Sequence, residues 1–170
     1  MPRVFFALWP PREAGEALAR HGARLAKASG GRAVAAANLH LTLVFLGDVA
    51  PGRIDSLRRA AGTVEARRFT LALDRLGSFR GSGVGWAGCR QPANELLALQ
   101  SALSSALAAE GFPPEARPYA PHLTLVRRIS APIAPEAIEA VTWEVGTFAL
   151  VESRRERGGY ATVGEWPMEP

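Results

Sequence analysis

Cysteine is nearly missing from this chain of 170 residues. Cys89 stands alone, which excludes an internal disulfide and any cysteine-rich zinc site. No local motif marks it as a nucleophile, so a buried structural thiol is expected. Long apolar runs are missing too: Leu39 to Leu46 is interrupted by His40 and Thr42 and is far too short to cross a bilayer. Near the N-terminus the run Val4 to Trp9 ends at Pro10 and Pro11, before a signal-peptide core can form. A cytoplasmic protein without membrane contact is therefore expected. Lysine is all but absent as well, since Lys27 is the sole one among twenty cationic side chains. Arginine therefore supplies the positive side of a net charge of +4. Guanidinium groups bind phosphates bidentately and stack on bases, which suits a nucleic-acid or nucleotide ligand. A composition rich in Ala, Gly, Pro and Arg is equally what a GC-rich genome produces.

What is present is enough apolar material to fold. Hydrophobic residues make up 48% and charged residues 21% of the sequence, a balance unlike that of disordered chains. The length suits one domain built from two similar lobes. Periodicity predicts strands at Arg3 to Trp9, Asn38 to Leu46, Phe69 to Leu76, Val84 to Cys89, His122 to Arg128, Val145 to Ser153 and Tyr160 to Trp166. Helices are predicted over Pro11 to Ala28, Pro51 to Val64 and Glu95 to Glu110, the last capped by Asn94 and stopped by Gly111, Pro113 and Pro114. A short helix is expected at Pro135 to Val141. Gly81 to Gly85 reads as a hairpin turn, because it leads into a strand rather than opening a phosphate-binding helix. Arg154 to Gly159, with its charged Arg-Arg-Glu-Arg run, reads as a solvated hairpin loop. The mixed order with at least two hairpins argues for an α+β fold with largely antiparallel sheets and helices outside.

One pentapeptide carries the chemistry. His40-Leu41-Thr42-Leu43-Val44 recurs unchanged as His122-Leu123-Thr124-Leu125-Val126, and so uses two of only three histidines. Two copies this far apart suggest one per lobe of a duplication rather than a solenoid. Strand alternation sends Leu41 and Leu43 to one face and His40 and Thr42 to the other, and likewise in the second copy. Lobes related by an approximate two-fold axis then bring two imidazoles and two hydroxyls to one cleft. Two imidazoles near a pKa of about 6.5 allow one to be neutral while the other is protonated, the condition for paired acid and base work. The hydroxyls can donate to the oxygens of an anionic transition state. The competing reading is a duplication kept for packing. A zinc site is disfavoured, because no clustered third ligand accompanies the histidines and His21 falls on an exposed helix.

With these residues in view, the chain resembles the 2H phosphoesterases, and within them the RNA 2',3'-cyclic phosphodiesterases once called 2'-5' RNA ligases. The resemblance runs from Arg3-Val4-Phe5-Phe6-Ala7 through Asn38 to Gly47, Leu76 to Phe79, Trp86-Ala87-Gly88 and Tyr119 to Arg127, then on to the final strands. It implies two pseudo-symmetric lobes around a V-shaped cleft. It also implies metal-independent hydrolysis of an RNA terminal 2',3'-cyclic phosphate to a 2'-phosphomonoester, with no cofactor. His40 would be the proton donor and His122 the acceptor, roles that two identical motifs cannot distinguish by themselves. Thr42 and Thr124 would bind the phosphate. The partner would be an RNA end, tRNA fragments included, and a monomer is expected. Reverse 2'-5' ligation and a non-catalytic RNA-end binder are the alternatives.

Some supporting positions stay open. Strand parity selects Arg128 for the His122 face, whereas family position selects Arg127, and a bulge or strand end decides between them. Arg127 is favoured as a phosphate ligand. Among Phe5, Phe45, Trp86 and Tyr119, Tyr119 is the preferred base-stacking candidate. Parity puts Phe45 on the buried side of its strand.

Overall fold

The structure is a computed structural model that describes residues 1–154 and 156–170. The opening apolar run makes strand β1, Arg3–Leu8. Prolines 10 and 11 end it, and α1 (Arg12–Ser29) follows directly, with Glu13 in its first turn and Lys27 in its last. Both charges complement the helix dipole. Gly30 closes α1 at φ 75°, a left-handed stop that favours glycine. A two-residue strand, β2 (Arg32–Ala33), and a 3-10 turn at Ala36–Asn38 lead into β3, Leu41–Asp48. A second 3-10 turn at Pro51–Arg53 feeds α2, Ile54–Gly62. The remaining elements are β4 (Phe69–Ser78), β5 (Gly85–Gly88), α3 (Asn94–Ala109), β6 (His122–Arg127), β7 (Glu136–Val145), β8 (Thr147–Ser153) and β9 (Tyr160–Pro167).

Three local expectations fail. Pro135 to Val141 is not helical: Glu136–Val145 is strand β7, paired antiparallel to β4 from Phe69↔Val145 to Leu76↔Glu136. Ile138 and Val141 lie three apart and mimic a helix, but the free edge of β4 and the β-branched and aromatic residues Val141, Thr142, Trp143 and Val145 favour a strand. Asn94 does not cap α3. Ala93 is its N-cap, and no side chain bonds the exposed amides there. Asn38 leaves the predicted second strand for the 3-10 turn before it.

The ladders between these strands are antiparallel, in the order β7-β4-β5-β6-β3-β1-β8-β9 with β2 on β6. The α+β class and the antiparallel sheet therefore stand as expected. Helix α1 packs on β6 and β7, α3 on β3 and β4, and α2 on α3 and β9. Between helices and sheet lies the main core, including Phe6, Leu18, Leu57, Leu73, Leu99, Leu103 and Phe148. Leu41, Leu43, Leu123 and Leu125 of the repeat all belong to it, at most 2% exposed. On the other face a smaller cluster, Phe5, Ala7, Ala149 and Val151, packs with Trp9 and Tyr160. The two motif histidines lie over that other face, His40 directly on Phe5.

Candidate active site

The two repeats meet at the middle of the sheet, where Leu41 pairs with Leu123 and joins β3 to β6. Carried one residue either way, that antiparallel register sets His40 across from Thr124 and His122 across from Thr42. Each imidazole thus neighbours the hydroxyl of the other copy. Both strands then bulge at the same place. Against β1, the partners of Phe6 and Ala7 are Val44 and Thr42, so Leu43 is the extra residue. Against β5, the partners of Gly85 and Trp86 are Val126 and Thr124, so Leu125 is extra.

A one-residue bulge reverses the alternation beyond it. Val126 is consequently buried beside Leu125, and Arg127 emerges on the His122 side. Arg128 stands past the end of β6 at φ 56°. The bulge that the sequence left open thus selects Arg127, whose positive charge acts on His40. The equivalent step in β3 corrects the reading of Phe45. It is not buried but 43% exposed, because the bulge at Leu43 turns it out of the core.

Both imidazoles are held alike. His40 Nδ1 lies 2.8 Å from the Asn38 carbonyl oxygen and His122 Nδ1 lies 2.9 Å from that of Ala120. A carbonyl only accepts, so each Nδ1 carries a proton and donates it, leaving Nε2 for chemistry. Their surroundings differ. Phe5 stacks on His40 at 4.7 Å, while Tyr160 and Trp9 meet it edge-on at 5.0 and 5.5 Å. Burial among these rings lowers the His40 pKa from 6.5; the hydrogen bond to Asn38 opposes this, and the charges of Arg127 and His122 lower it further. Among the described residues His122 meets one ring, Phe79, edge-on at 4.8 Å.

Beside this pair opens a cavity of about 710 Å³ whose lining includes Thr42, Phe45, Phe79, Arg80, Arg117, Tyr119 and His122. Tyr119 is the sequence's stacking candidate. Its hydroxyl donates to the Thr42 carbonyl at 2.9 Å, and burial pushes its pKa upward. The ring thereby braces one motif against the other while lining the cavity.

The model of one protein family, the 2'-5' RNA ligase superfamily, matches residues 10–157. The chain belongs to that superfamily. An RNA 2',3'-cyclic phosphodiesterase of Escherichia coli K12 is 37% identical over 177 residues, spanning 98% of this chain and 96% of that protein. One from Thermus thermophilus is 31% identical across 96% of this chain and 88% of its own length. The crystal structure of E. coli LigT complexed with 3'-AMP matches with a TM-score of 0.91 at 36% identity, covering 100% of both chains.

In this superfamily member the fold brings His40, Thr42, His122, Thr124 and Arg127 to one region. His21 lies elsewhere, on α1, where its Nδ1 accepts from Arg24, itself paired with Glu136. Cys89 is half-buried, its thiol pushed up to about 11 by burial and then by Asp74. In the Arg154 to Gly159 loop, Arg154 and Arg157 are exposed and Arg155 lies outside the described residues. Among the described residues no three His, Cys, Asp or Glu side chains converge as a metal site would require, and no helix is long and apolar enough to cross a membrane. Sequence reasoning missed Trp9 and Tyr160 against His40, and Phe79, Arg80 and Arg117 in the cavity. The adjacency of Phe79 and Arg80 was visible, but nothing local tied them to His122.

Proposed function

We propose that this protein hydrolyses RNA ends bearing a 2',3'-cyclic phosphate, releasing a 2'-phosphomonoester, with His40 and His122 as acid and base. The carrying observation is the matched pair of imidazoles, each with Nδ1 bonded to a backbone carbonyl, which leaves Nε2 for the reaction. The chain is read as one domain of two similar halves, each supplying one motif. In the reaction His122 Nε2 takes a proton from water as the water oxygen bonds to phosphorus. The bond from phosphorus to the 3' oxygen breaks on the opposite side, and His40 Nε2 gives that oxygen its proton. Thr42, Thr124 and Arg127 donate to the non-bridging oxygens, where charge grows. Phe45, exposed on the cavity wall, offers its ring to the terminal base.

The lowered pKa of His40 arises from groups of the protein alone. A bound phosphate anion counters the charges of Arg127 and His122 and favours the imidazolium that an acid must be. Replacing water by the 5'-hydroxyl of a second RNA end gives 2'-5' ligation by the same geometry, although water at bulk concentration favours hydrolysis.

The test is a pH-rate profile on an oligoribonucleotide ending in a 2',3'-cyclic phosphate, with chelator present and the product phosphate located. A bell is expected in kcat/KM, which reports the free enzyme. The alkaline limb falls from below 6.5 as His40 loses its proton, and the acid limb reports the catalytic base. His40→Ala and His122→Ala should each reduce turnover by about 10² to 10⁴. Near-wild-type rates in both variants, or turnover abolished by chelator alone, overturn the proposal.

A further inference from the structure

The cavity of about 710 Å³ that Phe45 lines carries a second aromatic ring. Phe79 is 36% exposed and lines the same space. Its ring is backed by Trp86 at 5.4 Å and fixed at its edge by His122. Its main chain is fixed as well. The Phe79 amide donates to the Val84 carbonyl, and its own carbonyl accepts from the Ser82 hydroxyl at 2.8 Å. A ring held this way loses little freedom on stacking.

Two cations flank it. Arg80 stands on the loop after β4 and Arg117 on the segment before β6, both exposed on the lining. Arg12, Arg24, Arg58 and Arg59 all reach acidic side chains, whereas neither Arg80 nor Arg117 has a hydrogen bond or ion pair among the described residues. Among the described residues Glu115 is the one carboxylate on this lining, against Arg80 and Arg117. Gln100 and Ser104 add neutral donors on α3. An aromatic platform beside free guanidinium groups is the arrangement that holds single-stranded nucleic acid by base stacking and phosphate contact.

We propose that this end of the cavity is a subsite for the nucleotide preceding the cyclic-phosphate end, with its base on Phe79 and the linking phosphodiester between Arg80 and Arg117. The inference rests on the hydrolase reading above and narrows its substrate class to oligoribonucleotides rather than cyclic mononucleotides.

The test compares kcat/KM for a dinucleotide ending in a 2',3'-cyclic phosphate with that for the matching mononucleoside 2',3'-cyclic phosphate. A preference for the dinucleotide of about tenfold, carried mainly by KM, is expected from one stacked base. In the double variant Arg80→Ala with Arg117→Ala the ratio should fall, because the linking phosphodiester loses both cations while the base keeps its platform on Phe79. The double variant Lys27→Ala with Arg67→Ala removes the same charge elsewhere and should keep the ratio. A wild-type ratio near one, an unchanged ratio in the first variant, or an equal fall in the second overturns the subsite. Turnover of neither substrate by the wild type is a different result: it overturns the hydrolase reading itself, and this inference with it.

Discussion

Arg127 has two partners in this cleft, the substrate it would bind and the imidazole it already influences. Its positive charge disfavours the imidazolium of His40, adding to what burial among Phe5, Trp9 and Tyr160 does. A neutral side chain of similar length removes the charge and leaves the burial. In Arg127→Met the His40 midpoint should therefore rise toward 6.5 without reaching it, because the desolvation remains. The imidazole proton resonances followed by NMR across pH 4.5 to 8.5, a span chosen to bracket about two units either side of an unperturbed imidazole, measure this directly. An unmoved midpoint would mean that the Arg127 guanidinium points away from the cleft, and the bulge argument for it would fail.

At the scale of single elements, the paired bulges separate what the sequence discloses from what it hides. Alternation within His-Leu-Thr correctly divides core from cleft, because period two holds up to the threonine. Beyond it the period breaks in both strands, and parity misplaces Phe45 while favouring Arg128 over Arg127. No residue type marks the break. Leu43 and Leu125 are ordinary strand residues, and the bulges are defined only against β1 and β5, strands distant in sequence. Pro135 to Val141 mimics a helix for a related reason, since the edge of β4 that captures it is invisible locally. The end of β6 depends on one more long-range fit. A Cβ on Gly31 would come within 2.5 Å of Val126 Cγ1 and 2.8 Å of the Arg127 carbonyl oxygen. Gly31→Ala therefore forces β6 outward where Arg127 is aimed. A stability loss of about 1 to 3 kcal/mol by urea unfolding is expected, with a lower kcat/KM for cyclic phosphate hydrolysis. Full activity at unchanged stability would show that this close approach does not position Arg127.

At the scale of the whole molecule, β3 and β6 meet at the middle of the sheet and, among the described residues, are joined there by few hydrogen bonds. The β3 to β6 ladder has the single pair Leu41↔Leu123, and the Tyr119 hydroxyl adds one bond across it to the Thr42 carbonyl. The core beneath supplies the rest, for α1 and α3 lie against β6 and β3 and bury both leucines completely. The distance between the imidazoles is thus set by packing under the seam more than by hydrogen bonds along it. In the proposed reaction acid and base flank one phosphorus, so a small change in that distance would cost rate steeply. Leu123→Ala leaves every polar group of the cleft in place and empties the space under the seam. It should cost about 2 to 5 kcal/mol of stability and lower kcat at a temperature where the variant is still folded. Combining it with Tyr119→Phe, which removes the hydroxyl tie across the seam, should lower kcat by more than the two single effects multiplied, because both act on the same spacing. Loss of stability with kcat intact in the folded variant would place the control of histidine spacing elsewhere, in the aromatic rings that hold each imidazole from its own side.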